Sequence, residues 1–260
     1  MIKAERQKKI LALMDEASTV SVTELAKSFG ISPITIRRDL IELDEKGLLE
    51  RTHGGAMATQ VVLADGSARY GMYNYQDRNN QQAEDKTAIA ECAAQFISDG
   101  DNILINAGTT TQALALALRA HQDLYVVTNG LSVASTVGST VRAHVYVLAG
   151  RLDTRTQATM QSPLSEELRE IQVREAFLGV HAMSAKGIYT RSKEDAGMTR
   201  ALIAAASKVT VLADHTKFDS FASFRVCDLS RIARVITDAK TRPDTIRMLE
   251  AQGIDVVVAS

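Results

Sequence analysis

The chain has no tryptophan, three prolines and two cysteines among its 260 residues. Cys92 and Cys227 lack the spacing of metal ligands, so we expect free thiols. No apolar run approaches the ~20 residues that a membrane helix needs. The charged start MIKAERQKKI is not followed by the apolar segment of a signal peptide. These absences predict a cytoplasmic protein with no metal, no cofactor and no membrane partner.

A strong net charge is also absent, since the formal value is −1. This balance argues against a protein that coats nucleic acid non-specifically. The signs are nevertheless separated locally: Arg37 and Arg38 come at the front of one predicted helix, and Glu42, Asp44 and Glu45 come at its back. A basic edge on a neutral domain is typical of a site-specific DNA-binding protein.

Two short helices joined by a tight turn are predicted over residues 21–46, with Gly47 ending the second. Ser21 is a suitable cap for the first helix, in which apolar residues recur on one helical face. These residues are Val22, Leu25, Ala26 and Phe29. Gly30 permits a turn, and Ser32 followed by Pro33 is typical of the start of a second helix. The pattern predicts a helix-turn-helix whose second helix enters the major groove of DNA.

The second helix places Ile36, Leu40 and Leu43 on its buried face and leaves its other side for DNA. We expect arginines there to contact phosphate or guanine edges and the smaller side chains to contact the groove floor. The candidate DNA contacts on this element are Ser32, Ile34, Thr35, Arg37 and Arg38. Residues 48–57 read as two strands and a turn, which predicts a wing with Arg51 and His53 able to reach phosphate or the minor groove.

The rest of the chain divides into a linker and a larger body. We expect a winged helix-turn-helix domain over 1–57, a linker over 58–82, where no period is sustained, and a body over 83–260. In the body, predicted strands alternate with predicted helices, which is typical of a mostly parallel α/β sheet with helices on both faces. Ligands of such sheets bind at the carboxyl ends of the strands.

One strand-to-helix loop of the body has residues that suit an anion. Gly108, Thr109, Thr110 and Thr111 follow an apolar strand and open a helix, whose N–H groups and dipole favour negative charge. The loop matches neither a dinucleotide fingerprint nor a P-loop. Phosphate binding and an ordinary threonine helix cap are both compatible with this pattern.

Further polar residues follow other predicted strands, and parallel strands would bring them to the same edge. These residues are Asn129, Gly150, Arg151, His181, Asp214 and Lys217, with Glu194 at the start of a later helix. An asparagine suits a sugar hydroxyl, and arginine or lysine suits a phosphate. Each also has a plain alternative: Asn129-Gly130 is a common turn, 214–217 can be a solvated loop, Glu194 can complement a helix dipole, and His181 can be structural.

These motifs together resemble the DeoR family of transcriptional regulators. The resemblance rests on SPITIRRDL and LLERTHGGA in the head, and in the body on Asp99-Gly100-Asp101, Gly108 to Thr111, Thr128-Asn129, Gly150, Asp214 to Phe218 and Ile236-Thr237-Asp238. It implies a sensor of the ribose-5-phosphate-isomerase type, a phosphorylated sugar effector and a dimer or tetramer. It also implies a phosphate on Gly108 to Thr111, with Asn129, Asp214 and Lys217 around the sugar.

Two positions depart from the family pattern. His181 stands where an acidic residue is frequent, and Ser162-Pro163 stands where glycine is frequent. A histidine beside an effector would make binding depend on pH near neutrality.

The sequence therefore predicts a DNA-binding regulator, a repressor of a carbohydrate-utilisation operon, with operator DNA, a phosphorylated sugar and further copies of itself as partners. An enzyme is the alternative from another class, because Asp214, Lys217 and Glu194 are able to supply acid and base groups to a sugar phosphate. A body that only oligomerises is a third alternative.

Overall fold

In the computed structural model, the described residues are 3, 6, 7, 9, 10, 13, 19–45, 49–52, 54–57, 61, 62, 68, 69, 82–154, 156–161, 166–218, 220 and 222–259. The chain forms two compact units, Met1–Arg78 and Asn79–Ser260. Within the described ranges, no helix has both the length and the apolar composition to cross a membrane.

The first unit contains the predicted helix-turn-helix. Helix α1 spans Val22–Phe29 and helix α2 spans Pro33–Glu45. Ser21 caps α1 by accepting hydrogen bonds from the backbone N–H groups of Thr23 and Glu24. Gly30 ends α1 in the left-handed region at φ 63°, as a tight turn requires. Both helices of the prediction are confirmed.

The wing of this unit has one strand more than the sequence predicted. Strands β1 (Thr19–Ser21), β2 (Glu50–Thr52) and β3 (Gly55–Met57) form an antiparallel sheet in the order β1-β3-β2. Strand β1 is the additional strand, which the sequence did not predict. A further antiparallel pair, β4 (Val61–Val62) and β5 (Ala68–Arg69), lies in the segment predicted as a linker, most of which is outside the described residues.

A small apolar core holds the first unit together. It joins α1, α2, the wing and the helical residues near the start of the chain. Its most buried side chains include Ile10, Ile36, Leu40, Leu43 and Leu49, each at most 1% exposed. The predicted buried face of α2 is therefore confirmed.

The second unit is built on seven parallel strands. They are β6 (Asn102–Ile105), β7 (Gln122–Thr128), β8 (Arg142–Val147), β11 (Val173–Gly179), β14 (Ala206–Leu212), β16 (Arg234–Asp238) and β17 (Asp255–Ala259). Its helices are α3 (Ala83–Ala94), α4 (Thr109–Ala117), α5 (Leu131–Thr140), α6 (Glu166–Glu170), α7 (Lys193–Ala204) and α8 (Pro243–Glu250). Two apolar clusters share the sheet residues between them, as expected when helices cover both faces.

The strand order β17-β16-β14-β11-β6-β7-β8 reverses direction beside β6. From β6 the chain continues to β7 and β8 on one side, and from β11 it continues to β14, β16 and β17 on the other. Strands β6 and β11 are parallel neighbours through Glu175–Ile103, Ala176–Leu104 and Phe177–Ile105. Open α/β sheets bind ligands where the order reverses, outside the carboxyl ends of the strands. This point of the sheet is where the loops after β6 and β11 lie.

Two antiparallel features were not predicted. Strands β9 (Arg151–Asp153) and β10 (Ala158–Met160) form a hairpin, and β12 (Ala182–Ser184), β13 (Gly187–Thr190) and β15 (Phe224–Cys227) form a small sheet. These strands have only three or four residues each, too few for a periodic signal.

Candidate functional site

The exposed face of α2 has the residues that the sequence assigned to DNA. Ile34 is 69% exposed, and Arg37 and Arg38 are also exposed. Ser32 caps the helix: its Oγ accepts a hydrogen bond from the N–H of Thr35 at 3.3 Å and lies 2.9 Å from the Thr35 hydroxyl. Two exposed guanidinium groups that follow an uncharged first turn suit the phosphates and guanine edges of a major groove.

The two wing residues predicted to contact DNA, Arg51 and His53, have side chains outside the described part of the structure. Arg51 belongs to β2, but its side chain and the whole of His53 lie outside the described residues. Their contact with DNA stays a prediction. Asp39 was missed: it accepts hydrogen bonds from the Arg6 guanidinium inside the first unit. A charged residue three positions after buried Ile36 was the signal that the sequence offered.

The loop after β6 is attached to the neighbouring strand by one side chain. Asn106 donates from Nδ2 to the Gly179 carbonyl at 3.0 Å and accepts from the Gly179 N–H at 2.9 Å. This pair of hydrogen bonds closes the gap between β6 and β11 at their carboxyl ends. The sequence showed Asn106 at a strand end but did not show this bridge.

Helix α4 begins at the reversal point, directly after this bridge. Gly108 is its N-cap and has no side chain with which to cap the first turn. Thr109 and Thr110, 8% and 5% exposed, lie on that first turn, where N–H groups and the helix dipole favour an anion. Thr111 is fully buried and donates its hydroxyl to the Asn106 carbonyl at 2.7 Å. Thr111 therefore supports the loop from within.

The loop after β7 supports the same helix start. The Oδ1 atom of Asn129 accepts from the Ala107 N–H at 3.0 Å, and its Nδ2 donates to the Thr159 carbonyl at 3.3 Å. A Cβ on Gly130 would lie 2.9 Å from Ala107 Cα, so only glycine fits this approach. Asn129 is 4% exposed. Its contact with a sugar stays a prediction, and the geometry favours a positioning role.

The two residues predicted after β8 differ in their surroundings. Gly150 has φ +138°, and a Cβ there would lie 2.4 Å from the carbonyl oxygen of Met160 in β10. The close approach of the β9–β10 hairpin therefore explains why this position is glycine. Arg151 donates to Glu194 at 2.8 Å, and both side chains are largely exposed. An exposed ion pair contributes little to stability. These three effector assignments stay predictions, since each residue also has this plain structural role.

Asp214 and Lys217 follow β14, two strands from β6. Asp214 is fully buried, and its Oδ1 accepts hydrogen bonds from the backbone and the hydroxyl of Thr216. Among the described residues, no group donates a hydrogen bond to its Oδ2, although the Lys217 Nζ lies 3.4 Å away. A buried carboxylate oxygen in this state is ready to accept from a ligand hydroxyl.

His181 follows β11 and lies between the small sheet and α7. Its Nδ1 is 3.0 Å from the Thr190 hydroxyl and 3.6 Å from the Asp195 carboxylate. Thr190 in turn donates to Asp195, whose own N–H is bonded to the helix cap Ser192. The sequence predicted His181 at the site but missed Thr190 and Asp195, because they belong to elements that fold back onto it from later in the chain.

Another polar group lies one strand further out. His215 donates its N–H to Asp238 at 2.6 Å, and its Nδ1 is 3.0 Å from the same carboxylate. Burial raises the pKa of Asp238, but hydrogen bonds from His215 and Lys240 outweigh it and hold the pKa below its ordinary value. Asp85 lies near His215 and pairs with Lys240 at 2.8 Å. This network joins the loop after β14 to the start of α3.

The polar strand ends of four adjacent strands, β14, β11, β6 and β7, thus meet at one edge. The edge offers an anion position at the start of α4 and a carboxylate and an ammonium at 214–217. An anionic group and hydroxyl groups on one small molecule match this combination.

Sequence comparisons agree with both units. The DeoR C terminal sensor domain matches residues 81–239, and the DeoR-like helix-turn-helix domain matches residues 6–61. The HTH-type transcriptional repressor GlcR of Bacillus subtilis is 30% identical over 258 residues, 99% of this chain and 97% of that protein. The transcriptional repressor AccR of Agrobacterium fabrum is 34% identical over 242 residues, 92% of this chain and 90% of that protein.

Further similarities are weaker. The lactose phosphotransferase system repressor of Staphylococcus aureus is 29% identical over 242 residues, 92% of this chain and 93% of that protein. Among solved structures, a probable sor operon regulator from Shigella flexneri has a TM-score of 0.41 at 12% identity, covering 67% of this chain and 89% of that one. Ribose 5 phosphate isomerase A from Neisseria gonorrhoeae has a TM-score of 0.36 at 14% identity, covering 51% and 52%.

These three relatives are named as repressors, and their names do not support the alternative of an enzyme. The helix-turn-helix and the sensor domain match in the order that the sequence predicted. This chain belongs to the DeoR family and is a DNA-binding transcriptional regulator.

Proposed function

We propose that the chain represses a carbohydrate-utilisation operon and that a phosphorylated sugar, bound at the carboxyl edge of the sheet, controls its affinity for the operator. The first turn of α4 is the position for the phosphate, and Thr109 and Thr110 add hydroxyl donors there. Asp214 and Lys217 are the groups for sugar hydroxyls. Such a regulator works where operator DNA is, which agrees with the expected cytoplasmic location.

One observation carries this proposal. The start of α4, where Gly108 provides no side-chain cap, lies at the reversal of the strand order, and the buried Asp214 Oδ2 accepts no hydrogen bond from the described residues. A single sugar phosphate would explain two features of this sheet edge: a helix start that suits an anion, and a buried carboxylate oxygen that receives no hydrogen bond from the described residues. The names of relatives support the same class, since one of them represses a lactose phosphotransferase system.

A ligand titration tests the proposal. Phosphorylated sugars and their unphosphorylated counterparts are added to the complex with a DNA duplex that the wild-type chain selects from a random pool. We expect a phosphorylated sugar to change DNA affinity about 5- to 150-fold, a coupling of ~1–3 kcal/mol, while the matched sugar without phosphate does not. The idea fails if none of the phosphorylated sugars changes the affinity.

A variant pair locates the binding position. Thr109→Val/Thr110→Val keeps the shape of both side chains but removes both hydroxyls, so the sugar phosphate should bind at least ~10-fold more weakly, by about 1.4 kcal/mol. Thr140→Val, at the exposed far end of α5, is the matched control. Equal binding by both variants would show that the ligand binds elsewhere.

We also propose that the regulator acts as a homo-oligomer. Helix-turn-helix dimers bind two half-sites about 34–36 Å apart, which lets a head with few basic residues reach useful affinity. Light scattering on the free protein should give at least twice the mass of one chain, and a monomer at micromolar concentration would contradict this.

A further inference from the structure

A buried ion pair links α2, the helix predicted to enter the major groove, to the helical residues near the start of the chain. Arg6 and Asp39 are 33 positions apart, and their side chains are 9% and 2% exposed. The guanidinium uses two nitrogens on the two carboxylate oxygens: Nε donates to Oδ2, and Nη2 donates to Oδ1 at 3.1 Å. A forked, bidentate pair of this kind fixes direction as well as distance.

Because Asp39 lies beside the buried face of α2, a contact of fixed direction there restricts rotation of the helix about its axis. At about 100° per residue, Asp39 lies within about 60° of buried Ile36, whereas Arg37 and Arg38 lie about 100° and 160° away around the axis. Leu40 and Leu43 share the buried side and are 1% exposed. Apolar contacts hold α2 against the core, but they are non-directional and tolerate small rotations of a helix. The two hydrogen bonds to Asp39 depend on direction, so a rotation of α2 would break them.

A second contact between the same two elements agrees with this arrangement. One turn further along α2, Glu42 accepts from Gln7 at 3.1 Å and pairs with Lys3 at 2.5 Å. This outer pair is solvated, with side-chain exposures of 56% for Lys3 and 35% for Glu42. Exposed pairs of this kind contribute little, so the buried pair is the one able to set the register.

The charge of Asp39 also matters for a helix that approaches phosphates. Asp39 directly follows Arg38, and an uncompensated carboxylate there would attract that guanidinium and repel DNA. Pairing with Arg6 cancels the charge inside the unit. Buried ion pairs do not in general add stability over apolar side chains of similar shape. A role in DNA recognition explains the pair where stability alone does not.

We propose that Arg6 and Asp39 are positioning residues for DNA recognition: their buried pair sets the rotation of α2 and so directs Arg37 and Arg38 at the bases. Neither residue touches DNA in this scheme. Both residues lie in the first unit, and their role does not depend on what the second unit binds.

An apolar replacement separates positioning from stability. In the full chain, Arg6→Met/Asp39→Leu removes both charges and keeps similar shapes, so we expect a thermal midpoint at or above that of the wild type. Affinity for the duplex selected by the wild-type chain should fall at least ~10-fold, and affinity for an unrelated duplex should stay nearly unchanged. Lys3→Met is the matched control, since it breaks only the exposed pair and should alter neither quantity. Wild-type discrimination in the double variant would overturn the proposal.

Two further readouts keep the test decisive. Because Arg6 contacts no phosphate in this scheme, the slope of log affinity against log salt should be the same in the double variant; a slope smaller by about 1 would make Arg6 a phosphate contact and overturn positioning. Arg6→Lys keeps the charge but loses the fork. It should fold as the wild type does by circular dichroism and still discriminate several-fold less well between the two duplexes. Undiminished discrimination in Arg6→Lys would also contradict the proposal.

Discussion

Asn129 illustrates at the residue scale which properties of a candidate site residue a sequence pattern gives and which it does not. The sequence predicted its position after a strand, and β7 does end at the carboxyl edge of the sheet, just before Asn129. Its amide, however, is bonded to Ala107 and to Thr159. Sequence patterns give the neighbourhood of a side chain, but the partners of its polar atoms depend on loops brought together by folding.

A substitution at Asn129 tests this positioning role. Asn129→Asp keeps the size but replaces the donor to the Thr159 carbonyl by a buried acceptor, so we expect a loss of about 1–3 kcal/mol in the free energy of unfolding. Asn102→Asp is the control, because Asn102 also donates to a carbonyl, that of Gln172, but is exposed. Urea denaturation measures both variants. An equal, small effect of the two would contradict a buried structural role for Asn129.

Gly130 offers a second test at the residue scale. Its φ of −97° is open to any residue, so the objection to a side chain is purely steric, from Ala107 Cα at 2.9 Å. Gly130→Ala should push the loop before α4 and cost about 1–3 kcal/mol of stability. Gly138→Ala in the same helix meets nothing within 4 Å and should stabilise by about 0.5–1 kcal/mol. Thermal denaturation of the two variants gives the opposite signs directly.

At the scale of elements, the long helices and buried strands of both units were predictable. Helices α1 and α2 carry caps, a glycine turn and a clear apolar face, and the seven parallel strands are short apolar runs between helices. The wing strand β1, the hairpin β9–β10 and the small sheet were not predictable, because their stability comes from pairing with distant segments. The strand order was likewise hidden, and the site depends on it.

The network between β16, the loop after β14 and α3 predicts how stability varies with acid. The pKa of Asp238 is lowered in the folded state, so its contribution is complete above the unfolded pKa of about 3.9 and is lost as pH falls through the lower folded value. Asp238→Asn removes this contribution. Its unfolding free energy should be lower at neutral pH and should fall less steeply below about pH 4.

The exposed Asp244 serves as the control for this pH dependence. Its side chain is 88% exposed and pairs only with Arg247 of its own helix among the contacts described here. Asp244→Asn should therefore reproduce the wild-type acid profile, measured by urea unfolding at a series of pH values. Parallel profiles of wild type and Asp238→Asn would show that Asp238 does not contribute to the loss of stability in acid.

At the scale of the whole molecule, the chain divides into two compact units with separate cores. Their functional link is the coupling free energy between ligand binding to one unit and DNA binding to the other. If a ligand of the second unit changes DNA affinity, DNA must change the affinity for that ligand by the same factor. This reciprocity holds whatever path joins the units.

The reciprocity gives a prediction that requires no knowledge of the path. We expect the dissociation constant of the sugar phosphate to rise about 5- to 150-fold when the chain is saturated with its selected duplex, equal to the fold-loss in DNA affinity that the sugar phosphate causes. Calorimetric titration of the free protein and of the complex measures the first ratio, and fluorescence anisotropy of labelled DNA measures the second. The Arg6→Met/Asp39→Leu variant should lower DNA affinity in both ligand states and leave the ratio intact, because its defect lies in the head. Two unequal ratios in the wild type would mean that the loss of DNA affinity does not come from binding of this sugar phosphate to the chain.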